Sequence, residues 1–232
     1  MPNDLRIISL GSLAAHPLWN ERAPVRTPHA TTSLITISGP GAPTRILVDP
    51  SLPAQLLLPR LKERANLEPS AITHVFLTSF RPDLRRAIEA FDSAEWLISE
   101  TEREAVGVPL INSLKDAAQQ HDDELRVALE RDVAILQRCK PAPDRPAPHV
   151  SLFPLPGVTP GLTGLLLEEP RHTTLICGDA IPTLEHLEQG KVLQNAVSVE
   201  QARESFAEAV EIADLLVLGR DNIALNPTRR PF

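Results

Sequence analysis

Short apolar runs alternate with amphipathic segments along the chain. Runs rich in β-branched and aliphatic residues predict strands, and these runs are Leu5–Leu10, Thr32–Ser38, Arg45–Val48, Ala71–Thr78, Trp96–Ile98, Val150–Leu155, Leu162–Glu168, His172–Ile176 and Leu215–Leu218. Helical periodicity predicts helices over Leu52–Leu67, Asp83–Phe91, Glu100–Val106, Asn112–Arg138 and a last segment that starts at the capping residue Ser198. Strands with helices inserted between them predict a layered α/β sandwich.

Three local features qualify this pattern. Pro59 weakens the first half of the helix predicted over 52–67, because an interior proline breaks the helical hydrogen-bond ladder. Gly39-Pro40-Gly41 predicts a turn that joins two strands in a hairpin. Lys140–Pro148 holds four prolines and is the best candidate for a domain boundary. The strands on its two sides are alike, so we predict one domain over 1–232 with a helical insertion at about 112–140.

Composition narrows the classes of function. The 232 residues include 42% hydrophobic and 23% charged residues, as in ordinary globular proteins. The net charge of −7 gives no electrostatic support to a nucleic-acid partner or an anionic membrane surface. Cys139 and Cys177 do not make a disulfide framework, and we expect Cys139 to be the more exposed of the two. Met1–Gly11 lacks the layout of a signal peptide and no apolar run could span a membrane, so we expect a cytoplasmic protein.

Two segments carry more specific information. The first is Ile72-Thr73-His74-Val75-Phe76-Leu77-Thr78-Ser79-Phe80-Arg81-Pro82-Asp83-Leu84. The second is Pro154-Leu155-Pro156-Gly157-Val158-Thr159-Pro160-Gly161-Leu162-Thr163-Gly164, followed later by Cys177-Gly178-Asp179-Ala180. Together with Ile46–Asp49 and Val217–Asp221, they resemble in order and spacing the motifs of the metallo-β-lactamase superfamily. The resemblance covers roughly 32–222 and implies a four-layered αβ/βα sandwich with a metal-dependent hydrolase site.

The metal ligands that this resemblance implies are mostly replaced. Ser79, Arg81 and Leu84 stand where the family has three histidines, Val158 replaces the histidine of the Pro-Gly-His loop, and Arg220 replaces the last histidine. Only Asp83 and Asp179 remain. In the family, the equivalent of Asp179 bridges two metals and the equivalent of Asp83 helps to hold the second.

This donor set is poor for zinc, which prefers about four ligands, mainly histidine nitrogen and cysteine sulfur. The two arginines also bring permanent positive charge to positions where a cation would lie. We therefore predict that zinc is absent and that Arg81 and Arg220 form guanidinium–carboxylate pairs with Asp83 and Asp179 in the former metal pocket. The alternative is that a site under no selection has drifted.

Other candidate residues give weaker signals. His16 and His29 flank a loop with Arg22 and Arg26 that we expect near the mouth of the pocket. His186 fits a residue on a surface helix. Ser79 has neither a nucleophile-elbow sequence nor an evident base, so we assign it no catalytic role.

Two classes of function remain open at this point. The leading hypothesis is a non-catalytic metallo-β-lactamase-like protein that binds an anionic small molecule in a pocket formed by Ser79, Arg81, Asp83, Leu84, Val158, Asp179 and Arg220, or that pairs with itself or an active relative. The rival is a divergent hydrolase that keeps one hard metal, Mg²⁺ or Mn²⁺, on Asp83 and Asp179, or that uses metal-free chemistry.

Overall fold

Two β-sheets form the centre of the molecule in the computed structural model, which describes residues 4–39 and 41–229. The first sheet has six strands in sequence order: β1 (Asp4–Ser9), β2 (Thr32–Ile37), β3 (Thr44–Val48), β4 (His74–Leu77), β5 (Glu95–Ile98) and β6 (Lys140–Pro141). Strands β1, β2 and β3 are antiparallel, whereas β3 to β6 run parallel. The predicted hairpin is thus formed by β2 and β3, although Pro40 of its turn lies outside the described residues.

The second sheet has five strands in the order β11-β10-β9-β8-β7. These are β7 (Val150–Pro154), β8 (Thr163–Glu168), β9 (Thr173–Gly178), β10 (Leu215–Leu218) and β11 (Ile223–Leu225). Only β9 and β10 pair in parallel. The short edge strand β11 was not predicted, because three residues carry too little pattern to distinguish a strand from a loop.

Helices cover the outer faces of both sheets. They are α1 (Ala54–Ala65), α2 (Glu100–Gln119), α3 (Asp123–Arg138), α4 (Leu184–Gln189) and α5 (Val199–Ile212), with 3₁₀ turns at Pro17–Trp19, Pro69–Ala71, Pro82–Leu84 and Ile88–Phe91. Helix α1 continues through Pro59, since Leu57 and Leu61 bury one face of it completely. Among the residues described, no helix combines the length and hydropathy needed to cross a membrane.

Three apolar clusters show how the layers stack. One lies between the two sheets and joins Ile35, Ile46 and Phe76 to Leu165, Ile176 and Val217. A second packs the outer face of the first sheet against Leu57 and Leu61 of α1 and Ile135 of α3. A third packs the second sheet against Leu187 of α4 and Ala209 of α5. The order helix, sheet, sheet, helix confirms the predicted four-layered αβ/βα sandwich.

The helix predicted over 112–138 is in fact two antiparallel helices. Helix α2 already begins at Glu100 and ends at Gln119, and α3 starts at Asp123. His121 adopts a left-handed backbone with φ 56°, which interrupts the helix, and the Asp122 side chain accepts a hydrogen bond from the backbone N–H of Leu125. The sequence prediction overlooked this combination of a left-handed residue and an N-cap.

Two smaller expectations are corrected by the fold. The segment predicted as a helix over 83–91 forms two separate 3₁₀ turns. Cys139 is only 1% exposed, because it follows α3 directly and packs under the first sheet. Burial raises the pKa of its thiol to about 11, and that of Cys177 is raised even further, so neither thiol is activated.

Candidate functional site

The candidate site lies where four parallel strands end. The segments that follow β3, β4, β9 and β10 carry Asp49, Arg81 with Asp83, Asp179 and Arg220. Because each sheet contributes two adjacent strands of the same direction, their carboxyl ends bring these charged residues to one edge of the sandwich. The first half of the chain therefore supplies Asp83 and the second half supplies Asp179 and Arg220.

Arg220 lies at the centre of a buried ion cluster. Its Nε and Nη2 donate to Oδ1 and Oδ2 of Asp179, both at 2.7 Å, in a bidentate pair. Its Nη1 donates to Oδ2 of Asp83. The side chain of Arg220 is 1% exposed, and its backbone N–H donates to the carbonyl of Pro182 at 2.7 Å, which fixes the residue after β10.

Arg81 completes the cluster from its open side. Its Nε lies 3.4 Å from Asp83 Oδ1 and its Nη1 lies 3.3 Å from Asp179 Oδ2. These are ion-pair distances rather than good hydrogen bonds, which are about 2.7–3.2 Å for N–H···O. The Arg81 side chain is also 34% exposed. The predicted guanidinium–carboxylate pairs are thus present, and all four carboxylate oxygens of Asp83 and Asp179 face an arginine.

The protonation states follow from this arrangement. Burial by itself would raise the pKa of Asp179, but the charge and hydrogen bonds of Arg220, helped by Arg81, hold that pKa below its ordinary value. Burial acts to lower the pKa of Arg220, yet Asp179 and Asp83 raise it above the ordinary arginine value. The Asp179–Arg220 pair is therefore charged at neutral pH.

Asp49, which follows β3, is a third buried acid near the cluster. It has φ 49° and accepts hydrogen bonds from the backbone N–H of Thr78 at 2.9 Å and from its hydroxyl at 2.7 Å. Burial raises the pKa of Asp49 to about 7; the Thr78 hydrogen bonds oppose this shift and repulsion from Asp179 adds to it. Gly178, with φ +53°, leaves room for the Thr78 side chain, since a Cβ there would lie 2.9 Å from the Thr78 hydroxyl.

A cleft of about 340 Å³ opens above the cluster. Its lining consists of the four charged residues of the cluster, the loop after β1 and a loop between α4 and α5: Leu13, Ala14, Ala15, Pro17, Glu21, Pro28, Arg81, Asp83, Asp179, Leu193, Gln194, Asn195 and Arg220. The first loop lies at the mouth of the pocket, as expected. Arg22 is exposed outside this lining, whereas Arg26 pairs with Glu21.

A buried polar cluster anchors that loop to the rest of the protein. His16 Nε2 lies 3.0 Å from the hydroxyl of Thr183 and 3.2 Å from a carboxylate oxygen of Glu185. Trp19 stacks on His16 with ring centroids 4.1 Å apart and donates its indole N–H to Glu185 at 3.0 Å. His186 was expected on a helix surface but is 1% exposed, because its Nδ1 bonds to Thr183 at 2.8 Å within the same cluster.

Three of the predicted pocket residues are not part of the cleft lining. Ser79 is fully buried and its hydroxyl has no hydrogen-bond partner. Leu84 is 1% and Val158 is 4% exposed, and Val158 packs in the apolar cluster of the second sheet. These positions follow the family spacing, but their side chains lie within the protein core instead of facing the cleft. His29 and His74 are partly exposed and take no part in the ion cluster.

Glu102 is a supporting residue that the sequence reasoning missed. It is 1% exposed, and its carboxylate accepts from the backbone N–H of Phe80 at 2.9 Å and of Gly161 at 3.0 Å. It thereby joins the loops that follow β4 and β7. The Ser99-x-x-Glu102 spacing at the start of α2 was a visible signal, since it is a capping-box sequence.

These residues do not fit the two-metal centre that the family resemblance implies. In the described part of the chain, no three His, Cys, Asp or Glu side chains come together as a group that could hold a metal ion. The two acids at the centre already have guanidinium groups at every oxygen, and a metal would meet two positive charges there.

Comparison with known proteins identifies the fold. No family model matches the sequence, and a search of curated proteins gives no significant match. A Thermotoga maritima protein assigned to the metallo-β-lactamases superposes with a TM-score of 0.68 at 18% identity, covering 97% of this chain and 100% of its own.

Two further solved structures agree with this assignment. A Staphylococcus aureus protein assigned to the metal-dependent hydrolases gives a TM-score of 0.64 at 15% identity, covering 95% of this chain and 89% of its own. An N-acyl homoserine lactone hydrolase, solved with its product at the catalytic metal centre, gives 0.62 at 18% identity, covering 95% and 94%. This chain therefore has the metallo-β-lactamase fold, with a cluster of two arginines and two aspartates at the ends of its central strands.

Proposed function

We propose that this protein is a non-catalytic, metallo-β-lactamase-like binding protein in which arginine has taken over the place of the metals. The observation that carries the proposal is the Arg220 guanidinium, which donates to both Asp179 and Asp83 from a position that is 1% exposed. A fixed cation at this point balances the two acids. It cannot lower the pKa of a bound water as a metal does, so the hydrolytic chemistry of the fold has no source of hydroxide.

The electrostatics favour arginine over a metal at these carboxylates. Asp179 uses both oxygens in the bidentate pair with Arg220, and Arg81 adds a second positive charge at 3.3 Å. A divalent ion would have to displace at least one arginine and leave a guanidinium charge without its partner inside the protein, which is costly. The rival hydrolase with Mg²⁺ or Mn²⁺ on Asp83 and Asp179 would need this displacement.

The ligand that suits the cleft is a small organic anion. Arg81 is the cationic group with spare capacity, because its side chain is partly exposed and its contacts with the two aspartates are long. A guanidinium with free N–H donors binds carboxylate and phosphate oxygens well. The cleft of about 340 Å³ is at the small end of ligand pockets, which are about 300–1,000 Å³. Gln194 and Asn195 add amide groups to the lining of the cleft.

Metal content is the first test of this proposal. Purified, untagged protein would be incubated with zinc, manganese and magnesium, freed of excess ion, and measured by mass spectrometry. We expect less than about a tenth of an equivalent of any metal, since tight sites need a full ligand set. About one equivalent of any of the three metals would overturn the metal-free reading, and hydrolase assays would follow.

Anion binding is the second test. Thermal unfolding would be followed with a panel of carboxylates and phosphate monoesters, because a ligand that binds only the folded state raises the Tm with its concentration. We expect at least one anion to stabilise the wild type, and the variant Arg81→Gln to lose that effect. Arg22→Gln, an exposed arginine outside the cleft lining, is the matched control and should keep it. No stabilisation by any member of the panel, or equal stabilisation of Arg81→Gln, would refute an anion site at Arg81.

A further inference from the structure

Helix α2 carries a stripe of four exposed residues along the groove between α2 and α3. Glu104, Val108, Ile111 and Lys115 are all exposed, Val108 at 69% and Ile111 at 39%. Their spacings of four, three and four residues place them on one side of the helix, in the pattern of an interhelical seam. The stripe therefore has an apolar centre between two charged ends.

The stripe is complementary to itself when reversed. Its two apolar residues and its two charged residues are each centred on the peptide bond between Pro109 and Leu110. In an antiparallel pair of α2 helices, Val108 would therefore face Ile111 of the other copy, and Glu104 would face Lys115. Neither Glu104 nor Lys115 forms an ion pair within the described residues, so both charges are available for a partner.

The stripe lines a groove that offers room for side chains of a second helix. It has a volume of about 600 Å³ and lies between α2 and α3, where Val133, Leu136 and Gln137 form one wall. Docking of a second α2 helix would remove the apolar side chains of this groove from water.

We propose that the α2 face binds a second copy of this chain through a two-fold, antiparallel α2–α2 contact. The charge complementarity favours this occupant over an unrelated partner, because an identical helix in the opposite direction satisfies both the apolar centre and the charged ends. Two-fold pairing is the commonest form of association between identical chains, and it requires such a self-complementary surface. The contact is independent of the arginine cluster and of the ligand proposed there.

The test is a charge exchange measured by sedimentation equilibrium of the full chain over about 1–500 µM, a range that brackets micromolar dissociation constants. Glu104→Lys and Lys115→Glu each place like charges opposite one another twice per dimer, so each should raise the Kd about tenfold or more. The double variant E104K/K115E restores opposite charges and should return the Kd to about the wild-type value. Glu208→Lys, an exposed position on α5 in the opposite outer layer, changes net charge equally and should leave the Kd unchanged.

Each outcome decides the matter. A wild type that dimerises, weakens with each single exchange and recovers in the double variant supports the contact. A wild type that stays monomeric at every concentration overturns it. If the Kd of the dimer does not change in either single variant, or does not recover in the double variant, the dimer uses another surface and the proposal is also overturned. Circular dichroism of each variant checks that these exposed substitutions leave the fold intact.

Discussion

Replacing Arg220 by methionine should destabilise the protein more than any other single charge removal at the site. The substitution keeps a long apolar side chain but removes the three donors that bond to Asp179 and Asp83. It leaves one carboxylate that is 2% exposed and another that is 12% exposed without their main counterion. Arg81 remains, but only at 3.3 and 3.4 Å and on the solvent side of the cluster.

The magnitude follows from the burial of the pair. Breaking a buried ion pair by removing one partner costs about 3–5 kcal/mol, because the remaining charge has lost its compensation. In a chain of this size, about 1 kcal/mol lowers the Tm by roughly 2–4 °C, so Arg220→Met should lower the Tm by roughly 6–20 °C. Arg126→Met is the control, because Arg126 pairs with Asp123 and Glu130 on the exposed face of α3 and should hardly matter.

The pH dependence distinguishes lost charge compensation from a simple packing defect. In the wild type the pKa of Asp179 is lowered, so its contribution to stability is present above its ordinary pKa and is lost as the pH falls. In Arg220→Met, burial without Arg220 favours the protonated acids, which makes low pH less harmful. The difference in free energy of unfolding between the two proteins should therefore be largest at neutral pH and shrink towards pH 4.

Urea denaturation of wild type and variant at several pH values is the assay. Adding Asp179→Asn and Asp83→Asn to Arg220→Met removes all three charges and should recover most of the loss, since uncharged groups need no counterion. A loss below about 1 kcal/mol at neutral pH, or a difference that does not change with pH, would refute the account of Arg220 as the counterion of these acids.

Three further predictions concern the supports of the site. Because the pKa of Asp49 is raised to about 7, its contribution to stability should fall as the pH rises from 4 to 7. In urea titrations, Asp49→Asn should remove this pH dependence, which is on the order of 4 kcal/mol. The same change of the free energy of unfolding with pH in both proteins would contradict this. Burial lowers the pKa of His186 to about 4, so the free energy of unfolding should fall as the pH drops from 6.5 to 4. The fall is on the order of 3 kcal/mol, and His186→Asn should reduce it. Gly178→Ala should lower the free energy of unfolding by about 1–3 kcal/mol, because residue 178 has a left-handed backbone and a Cβ there would clash with Thr78. Gly190→Ala should cost less, since φ is +60° there but the space is open. The same loss at both positions would show that the clash does not contribute.

The strands were the most predictable part of the fold. Runs of mostly apolar residues such as 74–77 and 215–218 predict buried strands from their composition alone, and the structure has strands there. The helix boundaries were harder to predict, because they depend on backbone conformation and capping and not on the spacing of apolar residues. The apolar residues Ala118 and Leu125 keep a helical spacing across the polar segment 119–124, so the left-handed backbone of His121 and the Asp122 N-cap separate α2 from α3 without disturbing that spacing.

The four charged residues of the cluster were predictable because they occupy motif positions. Arg81, Asp83, Asp179 and Arg220 follow strand ends, and parallel strands gather their ends at one edge. Ser79 and Val158 occupy motif positions too, but whether a side chain at a strand end points to the cleft or to the core depends on local backbone geometry. The fold brings Gln194 and Asn195 to the cleft and His16 to Thr183, 167 residues away, and no spacing in the sequence predicts either contact.

The Arg220–Asp83 contact spans 137 residues and joins the two sheets. Asp83 belongs to the half built around the first sheet, whereas Arg220 follows a strand of the second, and backbone hydrogen bonds such as Thr31 N–H to Gly219 and Thr163 N–H to Thr78 cross the same boundary. Each half holds one arginine and one aspartate of the cluster, and the Arg220–Asp83 and Arg81–Asp179 ion pairs cross between the halves. The consequence is cooperativity: the two sheets should unfold in a single transition, because separating them exposes the apolar cluster between them and breaks both crossing ion pairs at the same step.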